Sequence, residues 1–474
     1  MKNINIERLK NIHLIGIGGC GMSAIGKILH ELKNKISGSD IKENSNTIRL
    51  RDLGVKIFLK HLPANLRGID LVVISSAIKD DNQELQAAHE QGIPVIKRAQ
   101  MLSFILNKQK IGIGVSGTHG KTTTTSMIAK VLLDNNLDPT FLIGGETDYV
   151  DGNARLGKGP YAVAEADESD GSFLELEPDV GIVTNVEQDH MEYFKSESNL
   201  FTHFTKFVEK LNANKGILIT SDHPNCKKLF KDTEIHKITY GFNSDCDFSA
   251  SDLSYSDGGS KFTVNYKDEV LGEATLAVPG KQNISNSLAA IAMGMEAGIN
   301  FESIISVLQS YKGVKRRFQL IGEVDDILII DDYAHHPTEI IATLKAARLS
   351  YQNPKRRIIG IFQPHRYTRT FRFAADFARA FGEADITILT DVYSAGEIPI
   401  PNVSGKTIYS KVKDKSSTVY IPKKGKIVEY ILEHVEANDM VLTMGAGDIY
   451  SVGKELLARL KMKHETATQK PHNF

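Results

Sequence analysis

The chain of 474 residues has only three cysteines, Cys20, Cys226 and Cys246, and none of them stands at the paired spacing of a metal site. An odd number of widely separated cysteines argues against a disulfide framework and against structural zinc. The sequence also lacks any run of about 18 apolar residues, and its first apolar run, IHLIGIGG, is too short and too rich in glycine for a signal peptide. These absences predict a protein of the reducing cytoplasm that is neither secreted nor inserted in a membrane.

The chain has no marked excess of charge of either sign. Its 57 Lys and Arg residues balance 58 Asp and Glu residues, which gives a formal net charge of -1. Because binding to a polyanion requires a strongly basic surface, we do not expect nucleic acid as a partner. With 41% hydrophobic residues the chain is expected to fold, and its length predicts roughly two to four domains.

The first glycine-rich motif follows a short apolar run near the N-terminus. In NIHLIGIGGCGMSAIGKIL, Gly16, Gly18 and Gly21 have the spacing G-x-G-x-x-G between a predicted strand and a predicted helix. Asp40 stands 19 residues beyond Gly21, where a dinucleotide-binding fold has an acid for a ribose. Alone, this pattern predicts an NAD-dependent dehydrogenase. The backbone amides of such a loop bind any pyrophosphate, however, so a UDP-sugar fits as well.

A second glycine-rich motif, GVSGTHGKTTTT, also lies between a predicted strand and a predicted helix. Gly117, Gly120, Lys121 and Thr122 supply what a phosphate loop needs, namely close approach of the backbone, an amine for phosphate charge and a hydroxyl for Mg2+. The strict pattern would have glycine at position 115, which is Val115, so the motif is a variant of that loop. The alternative is a glycine-rich turn with an incidental lysine, but the flanking strand and helix favour the phosphate loop.

Acids and a histidine end the next two predicted strands. Glu165 comes directly after the run YAVA, at the kind of strand end where ligands bind, and is therefore a candidate ligand for Mg2+. Asp167, Glu168 and Asp170 follow it, and we expect two of these four acids to be merely solvated. His190 ends the run VGIVTNVEQDH and is a candidate second ligand, although a lone histidine there can equally cap or pack a helix.

The last third of the chain alternates again between apolar runs and helical sequence, which predicts a further α/β domain. The runs are DILIIDDYAHHP, RIIGIFQPHRYTRT, ADITILTDVYSAGE and DMVLTMGAGD. Arg366 and Arg369 are three residues apart, so a helical turn would place them on one face, where they could bind a carboxylate. His335 and His336 are adjacent in a segment expected to be extended, so their side chains should point apart and at least one should serve packing.

Eight motifs in a fixed order resemble those of the Mur ligases, the ATP-dependent enzymes that add amino acids to the UDP-muramic acid precursor of peptidoglycan. They are GIGGCGMS, SGTHGKTTTT, AEADESDGSF, TNVEQDHMEYF, VPGKQNISNSLAAIA, GVKRRFQ, DDYAHHPTEI and FQPHRYTRT. The resemblance implies an α/β protein with an N-terminal Rossmann-like domain for the UDP-sugar (1–107), a central P-loop ATPase domain (108–315) and a C-terminal Rossmann-like domain for the amino acid (316–474). One departure is Gln282, where the family usually has histidine; since Asn283 remains, this affects only a detail of the adenine contact.

The resemblance also implies a reaction. ATP would convert the lactyl carboxylate of UDP-N-acetylmuramate to an acyl phosphate, and the amine of L-alanine would attack it and release phosphate, with Mg2+ as the cofactor. Two alternatives stay open, a recycling ligase that attaches a tripeptide to the same sugar nucleotide and, in a different class, an NAD-dependent dehydrogenase or a nucleotide-sugar-binding regulator. The sequence does not decide between a monomer and a homodimer.

Individual residues take roles from the same resemblance. The UDP-sugar is assigned to Gly16, Gly18, Gly19, Gly21, Met22, Ser23, Asp40 and Ser75. ATP is assigned to Gly117, Thr118, His119, Gly120, Lys121, Thr122, Thr123, Asn283, Arg317 and Asp332. The amino acid is assigned to Tyr333, His335, Arg366 and Arg369, and the metal to Thr122, Glu165 and His190. The catalytic candidates are Lys121, His190, His335 and Arg317; without the resemblance, a surface salt bridge is a serious alternative for Arg317.

Overall fold

The computed structural model of the protein describes residues 9–211, 216–256, 258–352 and 355–468. Their strands form three sheets. The chain divides into two compact units. The first comprises the chain as far as Ser251 with Val264–Gly272 and Ser285–Leu308, and the second comprises Asp252–Thr263, Glu273–Ile284 and the chain from Gln309 onward. The three domain limits drawn from the sequence remain predictions.

The first sheet is parallel and has the strand order β3-β2-β1-β4-β5. Its elements are β1 (Asn11–Ile15), α1 (Cys20–Glu31), β2 (Lys35–Ser39), α2 (Ser45–Asp52), β3 (Lys56–Phe58), β4 (Leu71–Ile74), α3 (Gln83–Glu90), β5 (Val95–Lys97) and α4 (Arg98–Asn107). Ile12 and Leu14 of β1 are fully buried, as expected for the central strand of a doubly wound sheet. The strand order reverses between β1 and β4, so the loops after these two strands flank a topological switch point.

The second sheet has β6 at its centre, between β10 and β9. Its elements are β6 (Ile111–Ser116), α5 (Lys121–Asp134), β7 (Thr140–Leu142), β8 (Ala154–Arg155), β9 (Tyr161–Glu165), β10 (Val180–Val183), α6 (Met191–Phe194), α7 (Glu197–Glu209), β11 (Ile217–Ser221), α8 (Pro224–Leu229) and β12 (His236–Gly241). The three central strands are parallel and almost entirely buried, so the loops that follow them emerge at one edge of the sheet.

Three further strands extend the second sheet beyond β12 in the order β15-β14-β13-β12, and two helices follow them in the chain. They are β13 (Phe248–Ser256), β14 (Gly259–Tyr266), β15 (Glu269–Leu276), α9 (Lys281–Glu296) and α10 (Phe301–Gln309). β13 begins beside β12, with Tyr240 opposite Phe248 in a parallel register. The sequence predicts short strands in this polar stretch and a helix that begins near Asn283. The structure contains the helix, but the three strands are long, with 9, 8 and 8 residues.

The third sheet has the order β16-β17-β21-β18-β19-β20, with β16 antiparallel and the other strands parallel. Its elements are β16 (Gln319–Val324), β17 (Ile327–Asp332), α11 (Pro337–Ser350), β18 (Arg357–Phe362), α12 (Tyr367–Arg372), α13 (Ala374–Phe377), β19 (Ile386–Leu389), α14 (Gly405–Tyr409), β20 (Thr418–Tyr420), α15 (Lys424–His434), β21 (Asp439–Met444) and α16 (Tyr450–Thr468). Along β17, Leu328 and Ile330 join one apolar core while Ile327 and Ile329 join another, so helices cover both faces.

These sheets confirm the α/β class that the sequence predicts, with apolar strands alternating with helices in each block. Among the helices of the described ranges, none combines the length and the apolar character needed to cross a bilayer.

Candidate active site

The glycine loop after β1 is held by the end of the neighbouring strand. Gly16 has a φ of +82°, a conformation that glycine adopts without strain. Its amide and that of Ile17 donate to the carbonyl oxygen of Ser39, at 2.8 and 3.0 Å. The Gly18 amide donates to Oδ2 of Asp40 at 2.8 Å. Asp40 therefore lies beside the loop as the sequence pattern requires, and one of its carboxylate oxygens fixes the loop itself.

The rest of the motif forms the beginning of α1. Gly19 is the residue before the helix and provides no side-chain cap, so the first turn presents backbone amides of the kind that bind anions. Met22 is buried in the apolar core, and the Ser23 hydroxyl donates to the Cys20 carbonyl. Any contact of Met22 with a ligand would therefore be through its main chain.

Two further assigned residues lie close to the same loop. Ser75 follows β4 on the other side of the switch point, and a Cβ atom built on Gly16 would lie 3.1 Å from the Ser75 Cβ. Gly21 faces Arg98, because a Cβ atom at Gly21 would lie 3.1 Å from Nη1 of that arginine. The loop therefore has a hydroxyl on one side and a guanidinium group on the other.

The phosphate loop between β6 and α5 needs glycine at two positions. Gly117 has a φ of +131°, and a Cβ atom there would lie 2.1 Å from Oγ1 of Thr184. Gly120 has a φ of +84°, and its Cβ atom would lie 2.5 Å from Oδ1 of Asn286. No side chain could be added at either position without displacing these neighbours. Thr123 is buried in the first turn of α5, behind the loop.

The two residues between these glycines are fixed by the segment that follows β10. The Thr118 hydroxyl donates to the Glu187 carbonyl and accepts from the Glu187 amide, and the His119 amide donates to Oδ1 of Asn185 at 2.9 Å. The His119 ring nitrogen Nε2 lies 3.3 Å from Oε2 of Glu187, and His223 contacts the other oxygen of that carboxylate. The loop is thus connected by hydrogen bonds to the neighbouring strand of the sheet.

Lys121, the first residue of α5, forms a buried ion pair with Glu168. Nζ lies 2.6 Å from Oε2 of Glu168 and also donates to the Gly117 carbonyl at 2.6 Å. Burial acts to lower the pKa of Lys121, but the carboxylates of Glu168 and Asp167 outweigh it and raise the pKa above its ordinary value. Lys121 is therefore charged at neutral pH and points back toward the loop.

Thr122 and Glu165 are brought together as a pair of oxygen donors. The Thr122 hydroxyl donates to Oε2 of Glu165 at 3.1 Å, and the other carboxylate oxygen accepts from the Gly144 amide. Hydroxyl and carboxylate oxygens are the ligands that Mg2+ prefers, so these residues fit that ion. His190 contacts Asp189 and Glu192 and precedes the short helix α6 with a φ of +52°. Its role as a second ligand stays a prediction.

Arg98, at the start of α4, lies between the glycine loop and the acidic segment that follows β9. Besides facing Gly21, its Nη2 lies 3.8 Å from Oδ2 of Asp167, two residues beyond Glu165. Burial acts to raise the pKa of Asp167, but the positive charges of Lys121 and Arg98 lower it. A guanidinium group thus lies between the glycine loop and the acidic segment of the phosphate site.

In the second unit, the assigned residues gather around the end of β17. Asp332 is buried and accepts from the amides of Phe318 and Ala334, both at 2.7 Å. Burial raises its pKa to about 6, although Arg317 acts to lower it. The Arg317 guanidinium lies over the Tyr333 ring, 5.1 Å from its centroid, and 4.0 Å from Glu339.

His335 and His336 point in different directions. The His335 ring contacts the rings of Tyr333 and His365, and its Nδ1 lies 3.0 Å from the Tyr333 carbonyl. If Nδ1 carries the proton and donates to that carbonyl, Nε2 is the basic nitrogen of the neutral ring. His336 is buried against Phe373 and caps α11, so it serves packing.

The argument that placed Arg366 and Arg369 on one helical face is wrong in its geometry. α12 begins at Tyr367, and Arg366 precedes it with a φ of +69°. The Arg366 amide donates to the Tyr393 carbonyl, and the Arg366 carbonyl accepts from the Thr370 amide as the first bond of the helix. Arg369 lies within the helix, is buried, and has Nη1 3.4 Å from Nδ1 of His365. The two arginines are near in sequence but are presented by different backbone conformations.

Asn283 lies in the first turn of α9, where its side-chain amide donates to the Pro279 carbonyl at 2.7 Å. Gln282 lies against Gly280, which has a φ of +102° and where a Cβ atom would meet the Gln282 amide at 2.6 Å. The adenine contact assigned to Asn283 stays a prediction.

Several residues of the site were not singled out from the sequence. Glu168 belongs to an acidic run in which solvated and functional acids look alike. His365 lies in a motif in which Arg366 and Arg369 are the stronger candidates, and Arg98 stands in no glycine or acidic motif. A signal existed only for His365, which directly precedes Arg366.

The chain matches three family models that together cover most of its length. The model described as Mur ligase family, catalytic domain, matches residues 11–110, the Mur ligase middle domain matches 115–294, and the Mur ligase glutamate ligase domain matches 316–447.

Individual relatives extend the similarity along almost the whole chain. The UDP-N-acetylmuramate–L-alanine ligases of Pelotomaculum thermopropionicum and Dictyoglomus turgidum are 45% and 46% identical, over 96% and 95% of this chain and 99% and 97% of theirs. The solved structure of the UDP-N-acetylmuramate-alanine ligase of Thermotoga maritima superposes with a TM-score of 0.82 at 32% identity, covering 96% of this chain and 100% of that one. A murein peptide ligase from Psychrobacter arcticus gives a TM-score of 0.70 at 27% identity, covering 95% and 98%. The chain therefore belongs to the Mur ligase family.

Proposed function

We propose that this protein is an ATP-dependent ligase that joins L-alanine to the lactyl carboxylate of UDP-N-acetylmuramate, with ADP and phosphate as by-products. The observation that carries the proposal is the presence of two loops suited to anions in one compact unit, with Arg98 between the glycine loop and Asp167. A dehydrogenase would need only the first loop. The alanine ligases that match 96% and 95% of this chain support the same reaction.

The phosphate loop supplies the activation that this reaction needs. A free carboxylate does not acylate an amine in water, because the amine is protonated and oxide is a poor leaving group. Transfer of the γ-phosphoryl group of ATP makes an acyl phosphate, whose carbonyl carbon the amine attacks to expel phosphate. Lys121 neutralises the charge that opposes the approach of the carboxylate to the triphosphate. Thr122 and Glu165 would hold Mg2+, which spreads that charge further when it is bound.

The second unit is proposed to bind the remaining groups. Arg317 is assigned to the phosphates, Asn283 to the adenine, and Asp332 to the ribose or the phosphates of ATP. Arg366 and Arg369 are assigned to the carboxylate of L-alanine, since guanidinium groups pair with carboxylates through two parallel hydrogen bonds. His335 is the candidate for removing a proton from the attacking amine, through Nε2. A cytoplasmic location remains a prediction.

The second candidate is a ligase that attaches a whole tripeptide to the same sugar nucleotide. The murein peptide ligase of Psychrobacter arcticus shares the fold, but it is less similar to this chain than the alanine ligase of Thermotoga maritima, in TM-score and in identity. The similarity therefore favours a single small amino acid as the substrate.

The test is phosphate release from ATP in the presence of UDP-N-acetylmuramate, screened across amino acids and the tripeptide, with NAD reduction followed in parallel. We expect turnover only with both substrates, best with L-alanine and weaker with glycine or L-serine, since a pocket that recognises one methyl group discriminates by about 1 to 3 kcal/mol. Turnover only with the tripeptide, or hydrolysis of ATP at the same rate without the sugar nucleotide, would contradict the proposal.

A further inference from the structure

A carboxylate in the first sheet is completely buried and has no role in the proposed chemistry. Glu84, in α3, accepts at Oε2 from the Ser39 hydroxyl and at Oε1 from the Asn65 amide. His61 Nδ1 lies 2.9 Å from Oε2, and His13 Nε2 lies 3.4 Å from Oε1. Burial acts to raise the pKa of Glu84, but these hydrogen bonds outweigh it and lower the pKa to about 2. Glu84 is therefore a buried anion at neutral pH.

One of these contacts leads directly to the glycine loop. Ser39 is the last residue of β2, and its carbonyl accepts the amides of Gly16 and Ile17. The next residue, Asp40, accepts the amide of Gly18. Ser39 and Asp40, at the end of β2, thus hold three consecutive amides of the loop. Glu84 fixes Ser39 by accepting a hydrogen bond from the Ser39 hydroxyl.

The surrounding contacts hold the same strand end from a second side. His61 Nδ1 is 2.9 Å from the Ser39 hydroxyl as well as from Glu84, so a proton on Nδ1 is shared between the Ser39 oxygen and the carboxylate. Asn65, which donates to Glu84, also donates to the Lys60 carbonyl at 2.9 Å. Because a buried charge is tolerated only when it is fully hydrogen-bonded, Glu84 requires its donors to stay in place.

We propose that Glu84 is a positioning residue for sugar-nucleotide binding: it fixes the Ser39 end of β2, which in turn fixes the backbone of the glycine loop. The inference rests on the proposed function, in which this loop binds the UDP moiety. Glu84 itself is sealed from ligands by its burial, so it acts only through Ser39. Since phosphoryl transfer is assigned to the phosphate loop and L-alanine to the second unit, loss of Glu84 weakens binding of the sugar nucleotide and leaves the chemical step unchanged.

The experiment compares Glu84→Gln and Ser39→Ala with wild type and with Asp70→Asn. Glutamine keeps the volume of Glu84, but its N–H group faces neighbours that are themselves hydrogen-bond donors. Ser39→Ala removes the connecting hydroxyl and keeps the backbone. Asp70 is the matched control, because its carboxylate holds the amide and side chain of Asn11 at the opposite end of β1. For each protein, calorimetry gives the Kd for UDP-N-acetylmuramate, kinetics give KM and kcat, and a thermal melt gives Tm.

We expect Glu84→Gln to raise Kd and KM for the sugar nucleotide about tenfold and Ser39→Ala to raise them about threefold, with kcat within about twofold of wild type. Asp70→Asn should lower Tm without changing Kd. The inference is overturned if Kd is unchanged in Glu84→Gln and Ser39→Ala. It is also overturned if kcat falls in proportion to the loss of Tm in all three variants. If Glu84→Gln fails to fold, Ser39→Ala decides. Failure of the wild type to bind the sugar nucleotide contradicts the proposed function instead.

Discussion

Lys121 and Glu168 form an ion pair whose Nζ and Oε2 atoms are 2.6 Å apart, and only 2% of the Glu168 side chain is exposed. The ammonium group also donates to the Gly117 carbonyl, so it is fixed at the start of α5 by the loop on one side and by the acidic segment on the other. A lysine held in this way stays charged, and we expect it to bind an incoming phosphate from this position.

Replacing Lys121 by alanine should abolish turnover while leaving UDP-N-acetylmuramate binding nearly intact, because the sugar nucleotide is assigned to the separate loop after β1. Calorimetry and phosphate release would be measured on the same preparation. Lys130→Ala is the matched control, since Lys130 lies on the same helix and pairs with Asp134. Lys121→Ala leaves the Glu168 carboxylate buried without its cation. The double variant with Glu168→Gln removes this unpaired charge and should bind UDP-N-acetylmuramate as well as the single variant does. A loss of sugar-nucleotide affinity as large as the loss of rate would contradict the assignment.

Glu168→Gln should lower kcat by about 10- to 100-fold with a smaller change in the KM for UDP-N-acetylmuramate. The amide removes the charge that holds Lys121, so the ammonium group is no longer confined to one position. Asp170→Asn is the control, because the contact that Asp170 makes within the described part of the chain is a local one, from the Ser172 amide of its own turn. Equal rates for Glu168→Gln and wild type in initial-velocity assays would show that the pair has no part in catalysis.

Arg366→Ala and Arg369→Ala should each raise the KM for L-alanine much more than the KM for ATP, since a small free carboxylate depends on the guanidinium groups that hold it. The competing explanation is purely structural, because Arg369 is buried beside His365. Measuring Tm beside all three Michaelis constants separates the two. A uniform rise in the three constants with a lower Tm, or a selective rise for ATP, would rule out the alanine-carboxylate role.

The KM for ATP should rise as the pH falls through about 6, because burial raises the pKa of Asp332 to about 6 and a protonated carboxyl group is a poorer acceptor for ribose hydroxyls. Asp332→Asn should have a high KM at every pH. Steady-state kinetics between about pH 5 and pH 8 would detect the difference. A parallel pH dependence in the variant would mean that another group titrates.

Protonation of Asp332 should stabilise the folded protein, although it weakens the binding of ATP. The pKa of Asp332 is higher in the folded protein than the ordinary value of 3.8, so the folded state takes up the proton first as the pH falls. Between about pH 6 and pH 4 the contribution of Asp332 therefore becomes less destabilising. Thermal melts of wild type and Asp332→Asn across this range should show the wild type gaining stability relative to the variant as the pH is lowered.

The strands and glycine loops could be predicted from the sequence because their signals are local. Gly16, Gly117 and Gly120 have positive φ in the structure, and each follows a buried apolar run, so residues adjacent in the chain were enough to find both loops. The helix near Asn283 and the acid at the end of β9 follow from the same kind of local pattern.

The helical face assigned to Arg366 and Arg369 failed for a different reason. The amide of Arg366 donates to the carbonyl of Tyr393, far along the chain, while Arg366 itself has a positive φ and α12 begins only at the next residue. Propensity and spacing within a short window contain no information about such a partner.

The sequence by itself determined the α/β class, the two anion-binding loops and the family, because strand periodicity, glycine spacing and the order of motifs are properties of contiguous residues. Only the tertiary structure decided which acid pairs with Lys121, since Glu168 is 47 residues away and reaches it because β9 lies beside β6. It also placed Arg98 between the glycine loop and Asp167 and connected Glu84 to the glycine loop through Ser39. Such contacts depend on strand order and on the burial of charge, which are settled only when distant segments pack together.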